Sequence, residues 1–142
     1  MKKLVYILLC AAGVLFCSSC AKPDEDFVHD DASISAIYMQ TTQKDATGKQ
    51  LSLSVQGVIN EEGGEISFVV PKDKRKQIDL TAVKIRATVA YDAFVSVTKE
   101  GGKAVDRTLY GIHDISEGME LTVTANMTGR TKNYTLTAQY QR

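Results

Sequence analysis

Tryptophan is absent from this chain, proline and histidine occur twice each, and the three cysteines all lie within the first twenty residues. Each scarcity excludes something. With no cysteine after Cys20, the rest of the chain can form neither a disulfide nor a cysteine-ligated zinc site. The missing tryptophan removes the Cys…Trp…Cys core of antibody-type domains and the best aromatic face for stacking on a sugar ring. Lys plus Arg equal Asp plus Glu at seventeen each, so no overall field recruits nucleic acid or an anionic membrane. From residue 32 onward fourteen basic residues meet twelve acidic ones, and that conclusion holds. Long apolar runs are scarce too. The longest, Leu4 to Phe16, falls short of the about 20 residues that a membrane span needs.

That run has Lys2 and Lys3 before it and the small residues Ser18 and Ser19 after it. A basic start, a short apolar stretch and a small-residue exit are the pattern of a secretory signal. A short membrane anchor or a buried helix is the competing reading of the same residues. "CSSC" at 17–20 has the spacing of a metal or redox pair, but no further sulfur ligand follows it. The same four residues resemble the lipobox of bacterial lipoproteins, with Cys17 standing where that family prefers an aliphatic residue. The resemblance implies a signal peptide over 1–19 and lipidation of Cys20, which would become the new N-terminus.

"AKPDEDFVHDD", Ala21 to Asp31, gathers five acids against one lysine. Such a charge block is expected to be solvated and flexible, so residues 20–31 read as a lipidated cysteine and an acidic tether. Lys22 with Asp24 to Asp26 is also similar to the signal that sends lipoproteins of Bacteroidetes-type bacteria to the outer leaflet of the outer membrane. A plain acidic linker, or a periplasm-facing anchor, is the alternative.

Residues 32–142 are of a length for one domain. Their hydrophobic spacing has a period of two. "VKIRATVAY" sets Val83, Ile85, Ala87, Val89 and Tyr91 on one face and Lys84, Arg86 and Thr88 on the other. "MELTVTAN" does the same with Leu121, Val123 and Ala125, and "NYTLTAQY" with Tyr134, Leu136, Ala138 and Tyr140. "LSLSVQ" and "EISFVV" repeat the pattern, "SISAIY" more weakly. These are half-buried antiparallel strands. Glycine-bearing turns fall between them at Asp45–Gly48, Glu61–Gly64, Glu100–Lys103 and Met127–Arg130. One helical turn is expected within "RKQIDLTAVK", with Asp79 and Thr81 turning the chain. The fold class is therefore all-β, an antiparallel immunoglobulin-like sandwich of about seven strands, with a small barrel as the alternative.

The order "GEISFVVP", "IDLTAVKIRATVAYDAFVSV", then "DIS…MELTVTANMTGRTKNYTLTA" resembles the Ig-like domains of bacterial outer-membrane lipoproteins, several of unknown function. The likeness runs from Gly57 to Tyr140. It implies a surface-exposed, non-catalytic domain, set beside polysaccharide-uptake or adhesion machinery, whose partner is a glycan or a neighbouring outer-membrane protein.

Material for catalysis is thin. His113, Asp114 and Ser116 lie close in sequence, but adjacent strand residues face opposite ways, so a hydrolase triad is not suggested. Asp73, Asp79, Asp92 and Asp114 each border a strand, where acids make turns. No calcium loop or other metal site is expected, and no cofactor. Two surface features stand out. Lys72, Lys74, Arg75 and Lys76 form a basic run that would suit an anionic surface, or simply guard a sheet edge. Tyr38, Tyr91, Phe94 and Tyr110 are left as surface aromatics, of which Tyr91, Phe94 and Tyr110 could present a ligand platform; a buried corner is the alternative for Tyr91 and Phe94. The expected function is presentation of a binding or scaffolding domain at the envelope, with direct glycan binding second and a small hydrolase third.

Overall fold

The structure is a computed structural model and describes residues 28–142. The segment 1–19 read as a signal peptide, the candidate lipidation site Cys20 and the Lys22 to Asp26 segment lie outside the described residues.

The alternating pattern folds into two sheets that close over one core. β1 (Ile34–Thr41), β2 (Ser54–Gln56) and β5 (Val83–Val89) make a three-stranded sheet in the order β2-β1-β5. The second sheet has six strands: β3 (Val58–Asn60), β4 (Glu65–Val70), β6 (Ala93–Glu100), β7 (Lys103–Thr108), β8 (Met119–Ala125) and β9 (Thr131–Tyr140). Their order is β3-β4-β9-β8-β6-β7. Every pairing is antiparallel except β4 with β9, which run parallel from Glu65↔Thr135 to Val70↔Tyr140. The all-β sandwich expected from the alternation is the fold. Its strand count exceeds the expected seven partly because one run is cut into two three-residue pieces, β2 and β3.

Gly57 makes that cut. The chain leaves the three-stranded sheet at Gln56 and joins the six-stranded one at Val58. At the crossing a Cβ on Gly57 would sit 2.7 Å from Ile37 Cγ2 and 3.0 Å from the Phe68 ring. Only a residue without a side chain lets the two sheets approach this closely. We expect Gly57→Ala to cost about 1–3 kcal/mol through overpacking, read as a lower denaturant midpoint. An unchanged midpoint would show that the corner relaxes freely.

Period-two alternation then builds the core. Ile66, Phe68 and Val70 point inward from β4 while Glu65, Ser67 and Val69 point out. Met119, Leu121, Val123, Tyr134 and Leu136 continue the inner face of the large sheet, and Ile37, Met39, Val83 and Ile85 meet them from the small one. Tyr134 also ties the sandwich together through its hydroxyl. That oxygen accepts a hydrogen bond from the Ile34 backbone N–H at 3.1 Å and donates to the Glu61 carboxylate.

Turns follow the expected chemistry. Gly48, Gly64, Gly101, Gly102 and Gly129 all have positive φ, and Asp79 Oδ1 accepts from both the N–H and the hydroxyl of Thr81. Two expectations shift. The helical turn is a 3-10 turn at Lys72–Lys74, started by Pro71 rather than placed beside Asp79. Tyr91 does not continue the inner face of β5. The strand ends at Val89, Asp92 turns the chain with φ 62°, and Tyr91 emerges 81% exposed.

Candidate functional site

His113 is fully buried. Its Nδ1 lies 3.1 Å from Glu100 Oε2, and its Nε2 lies 3.1 Å from the carbonyl oxygen of Leu109. A carbonyl can only accept, so Nε2–H donates to Leu109, and Nδ1 is turned to the Glu100 carboxylate. Glu100 also accepts the Asp114 backbone N–H at 2.8 Å and pairs with Arg107 at 3.3 Å. Burial pushes the Glu100 carboxyl up, but the Asp114 N–H, His113 and Arg107 outweigh that and hold it below its ordinary value. Asp114 meanwhile accepts from the backbone and hydroxyl of Ser116 at 3.0 and 2.6 Å. Ser116 therefore never meets His113. The three residues drawn together by sequence proximity form two separate structural clasps.

The remaining acids do not converge. Asp79 holds Thr81, Asp92 sits in the turn before β6 with its backbone carbonyl accepting from Asn126, and Asp73 is exposed in the 3-10 turn. Among the described residues no group of three or more His, Cys, Asp or Glu is placed to hold a metal ion. No helix among them is long and apolar enough to cross a membrane.

The three aromatics are all exposed: Tyr91 at 81%, Phe94 at 52% and Tyr110 at 92%. Tyr91 and Tyr110 line separate hollows. Tyr91 lines a hollow with His29, Asp30, Arg130 and Lys132 at the start of the described chain. Tyr110 lines a different hollow, with Lys84 to Ala87, Leu109 and Gly111. Phe94 stands on the outside of the large sheet, in register with Thr124.

Residues 28–31, grouped with the tether on sequence grounds, lie against the sandwich. The His29 ring packs on Tyr91 with centroids 4.9 Å apart. Asp30 accepts from the Thr128 hydroxyl and from Arg130, at 2.5 and 2.9 Å. These two hydrogen bonds, Thr128 first, lower the Asp30 carboxyl below its ordinary value. In the basic run, Lys72, Arg75 and Lys76 are exposed and Lys74 is half-buried. Arg75 is turned onto the Tyr140 ring at 5.0 Å, so its guanidinium is partly occupied by the protein itself.

Sequence reasoning placed Lys84 and Arg86 on the outward face of their strand but did not single them out. Their position became informative only when β5 emerged at a sheet edge, which alternation alone does not encode. Glu100 was read as a turn residue. Its role as the hub under His113 depends on a contact thirteen residues away, across a hairpin.

No protein-family model matches the chain, and no curated protein sequence does. Its fold is similar to the crystal structure of a presumptive secreted protein of Bacteroides fragilis. The two superpose with a TM-score of 0.50 at 16% identity, over 82% of this chain and 100% of the other. The likeness defines a shared all-β sandwich architecture.

Proposed function

We propose that the chain is an exported envelope lipoprotein that presents a non-catalytic β-sandwich for binding or scaffolding at the outer membrane. The observation that carries this reading is how the polar groups are used. His113, Glu100, Asp114 and Ser116 are committed to internal bonds, while large aromatics and a strand edge face outward. A domain arranged in this way has surfaces to offer rather than a reaction to run. Similarity to a Bacteroides protein described as secreted supports an extracytoplasmic location. The lipobox-like residues Cys17 to Cys20 supply the means of attachment. Two or more acyl chains, at about 0.8 kcal/mol per buried CH₂, make such attachment near-permanent.

Cys20→Ala is the decisive variant. It should move the protein from the membrane fraction to the soluble fraction and abolish incorporation of labelled fatty acid. Unchanged membrane attachment in the variant, with no fatty-acid labelling of the wild type, would return the segment to a signal-anchor. Protease added to intact cells then distinguishes outward display from a periplasm-facing anchor.

Direct glycan binding is the second reading, favoured by the exposure of Tyr110 and Tyr91 beside cationic groups. A glycan array probed with the full chain addresses it. Binding that survives Tyr110→Ala and Tyr91→Ala would remove these residues from the ligand site.

A further inference from the structure

β5 is half of a ladder. Toward β1 it is paired along its whole length, from Val83 to Val89. On its other side it makes one bridge, where Val83 and His113 exchange backbone hydrogen bonds of 3.0 and 2.8 Å. That bridge is antiparallel, so residues 112 back to 109 run beside Lys84 to Ala87, where a further strand would continue. They veer off instead. A hollow of about 600 Å³ opens between the two segments.

The gap is held open by bonds of the diverging segment. Gly111 takes a φ of 114°. The Leu109 carbonyl accepts from His113 Nε2, and the Ile112 carbonyl accepts from Arg107 Nη2 at 3.1 Å. The Leu109 carbonyl, which would face Ala87 in a continued ladder, is thus spent on a side chain, while Ile112, opposite Lys84, would direct its carbonyl away from β5 in any case. Because Val83 directs its backbone groups toward this side, strand geometry directs those of Ile85 and Ala87 the same way. Among the described residues neither has a backbone partner there.

Charge indicates what would fit. Lys84 and Arg86 stand on the outer face of β5, in register with Gln40 and Tyr38 of β1. Among the described residues neither takes part in an ion pair. A strand added to this edge would set its outward residues beside these two cations and its inward residues over Ala87 and Leu109, which are half-buried. Cations on an edge deter pairing with basic or uncharged edges, so the same residues that repel most strands would select acidic ones.

We infer that the free edge of β5 accepts an extended segment of a partner protein with acidic residues at alternate positions and apolar residues between them. The pairing is β-strand addition, in which main-chain bonds supply affinity and alternate side chains supply selectivity. The inference rests on the reading of the sandwich as a binding module and gives it a partner class. It is independent of the anchor at Cys20.

The probe is a fluorescent synthetic peptide of about nine residues alternating valine and glutamate, titrated into the full chain. It should bind saturably and slow amide exchange at Ile85 and Ala87. A lysine counterpart should bind at least about tenfold more weakly, and Lys84→Glu with Arg86→Glu should reverse that preference. Ala87→Pro removes a donor from the free side while sparing bonds to β1, and should weaken binding at least about tenfold. Should that variant fail to fold, the charge reversal at half-buried Lys84 and exposed Arg86 decides the matter. No binding up to about 1 mM, binding without protection at Ile85 and Ala87, or equal affinity for the lysine peptide would each overturn the inference. So would a second copy of the chain occupying the edge, seen as self-association that Ala87→Pro removes. None of these outcomes touches the Cys20 result, so failure of the edge and failure of the anchor can be told apart.

Discussion

Phe68→Ala should lower the free energy of unfolding by about 3–5 kcal/mol. Phe68 is fully buried in β4, the strand that pairs parallel with β9. Its ring lies against Gly57, at the crossing between sheets, and the same crossing touches Ile37 of the small sheet. Truncation would therefore open a void where both sheets and their connection meet. That region has little freedom to collapse: the Gly57 N–H is bonded to the Ile37 carbonyl at 2.9 Å, and β4 is held by β3 on one side and β9 on the other. Urea unfolding at pH 7 measures the effect as a fall in midpoint at constant slope. Phe68→Leu, which retains most of the volume, should cost less than half as much. A loss below about 1 kcal/mol for alanine would mean that the corner repacks and that the ring is not what joins the sheets.

Much of this fold is legible because one face of each sheet is dry. Where a strand is wet on one side, the pleat forces a period of two, so β4, β8 and β9 announce themselves and their turns. Pairing partners are another matter. Nothing in "EISFVV" says that it will lie parallel to "TLTAQY", because that contact is closed by a long connection and not by a hairpin. Tyr91 illustrates a different limit. It keeps perfect alternation with Val89, yet Asp92 at φ 62° ends the regularity one step too soon. Aromatic type alone could not separate a buried corner from an exposed tip.

The site is less legible than the fold, for a physical reason. His113 and Ser116 suggested chemistry through proximity in sequence, but the local turn gave Ser116 to Asp114, and a hairpin brought Glu100 to His113. The open edge of β5 is likewise a property of what its neighbour does. The Leu109 carbonyl is taken by His113 and the Ile112 carbonyl by Arg107, so the vacancy beside Ile85 and Ala87 depends on bonds that no inspection of β5 could show. Structural clasp and accepting edge are thus one construction. His113 closes the bridge at Val83 and simultaneously holds Leu109 away from the strand.

Glu100→Ala tests that construction and should destabilise the protein by about 2–4 kcal/mol. The substitution leaves the buried His113 ring without its carboxylate partner and removes the acceptor from the Asp114 N–H. Glu100→Gln should cost only about 0.5–1.5 kcal/mol. Its carbonyl can still accept from Asp114 while its amide donates to an unprotonated Nδ1. The two variants also separate through pH. The Glu100 carboxyl is held below its ordinary value in the folded protein, so its contribution is complete above the unfolded value of about 4.3 and is lost as pH falls through the folded one. Asp31 and Asp79, lowered by hydrogen bonds from Ser33 and Thr81, act in the same direction. Stability of the wild type should therefore decline with acidification below about pH 4–5, and Glu100→Gln should decline less steeply over that window. Equal losses for alanine and glutamine, or an unchanged acid slope for glutamine, would mean that Glu100 only fills space. Amide exchange at Ile112 and His113 gives the local readout. Glu100→Ala should quicken it far more than exchange in β8, because the loop beside the β5 edge is fastened by this carboxylate while β8 is fastened by its neighbours on both sides.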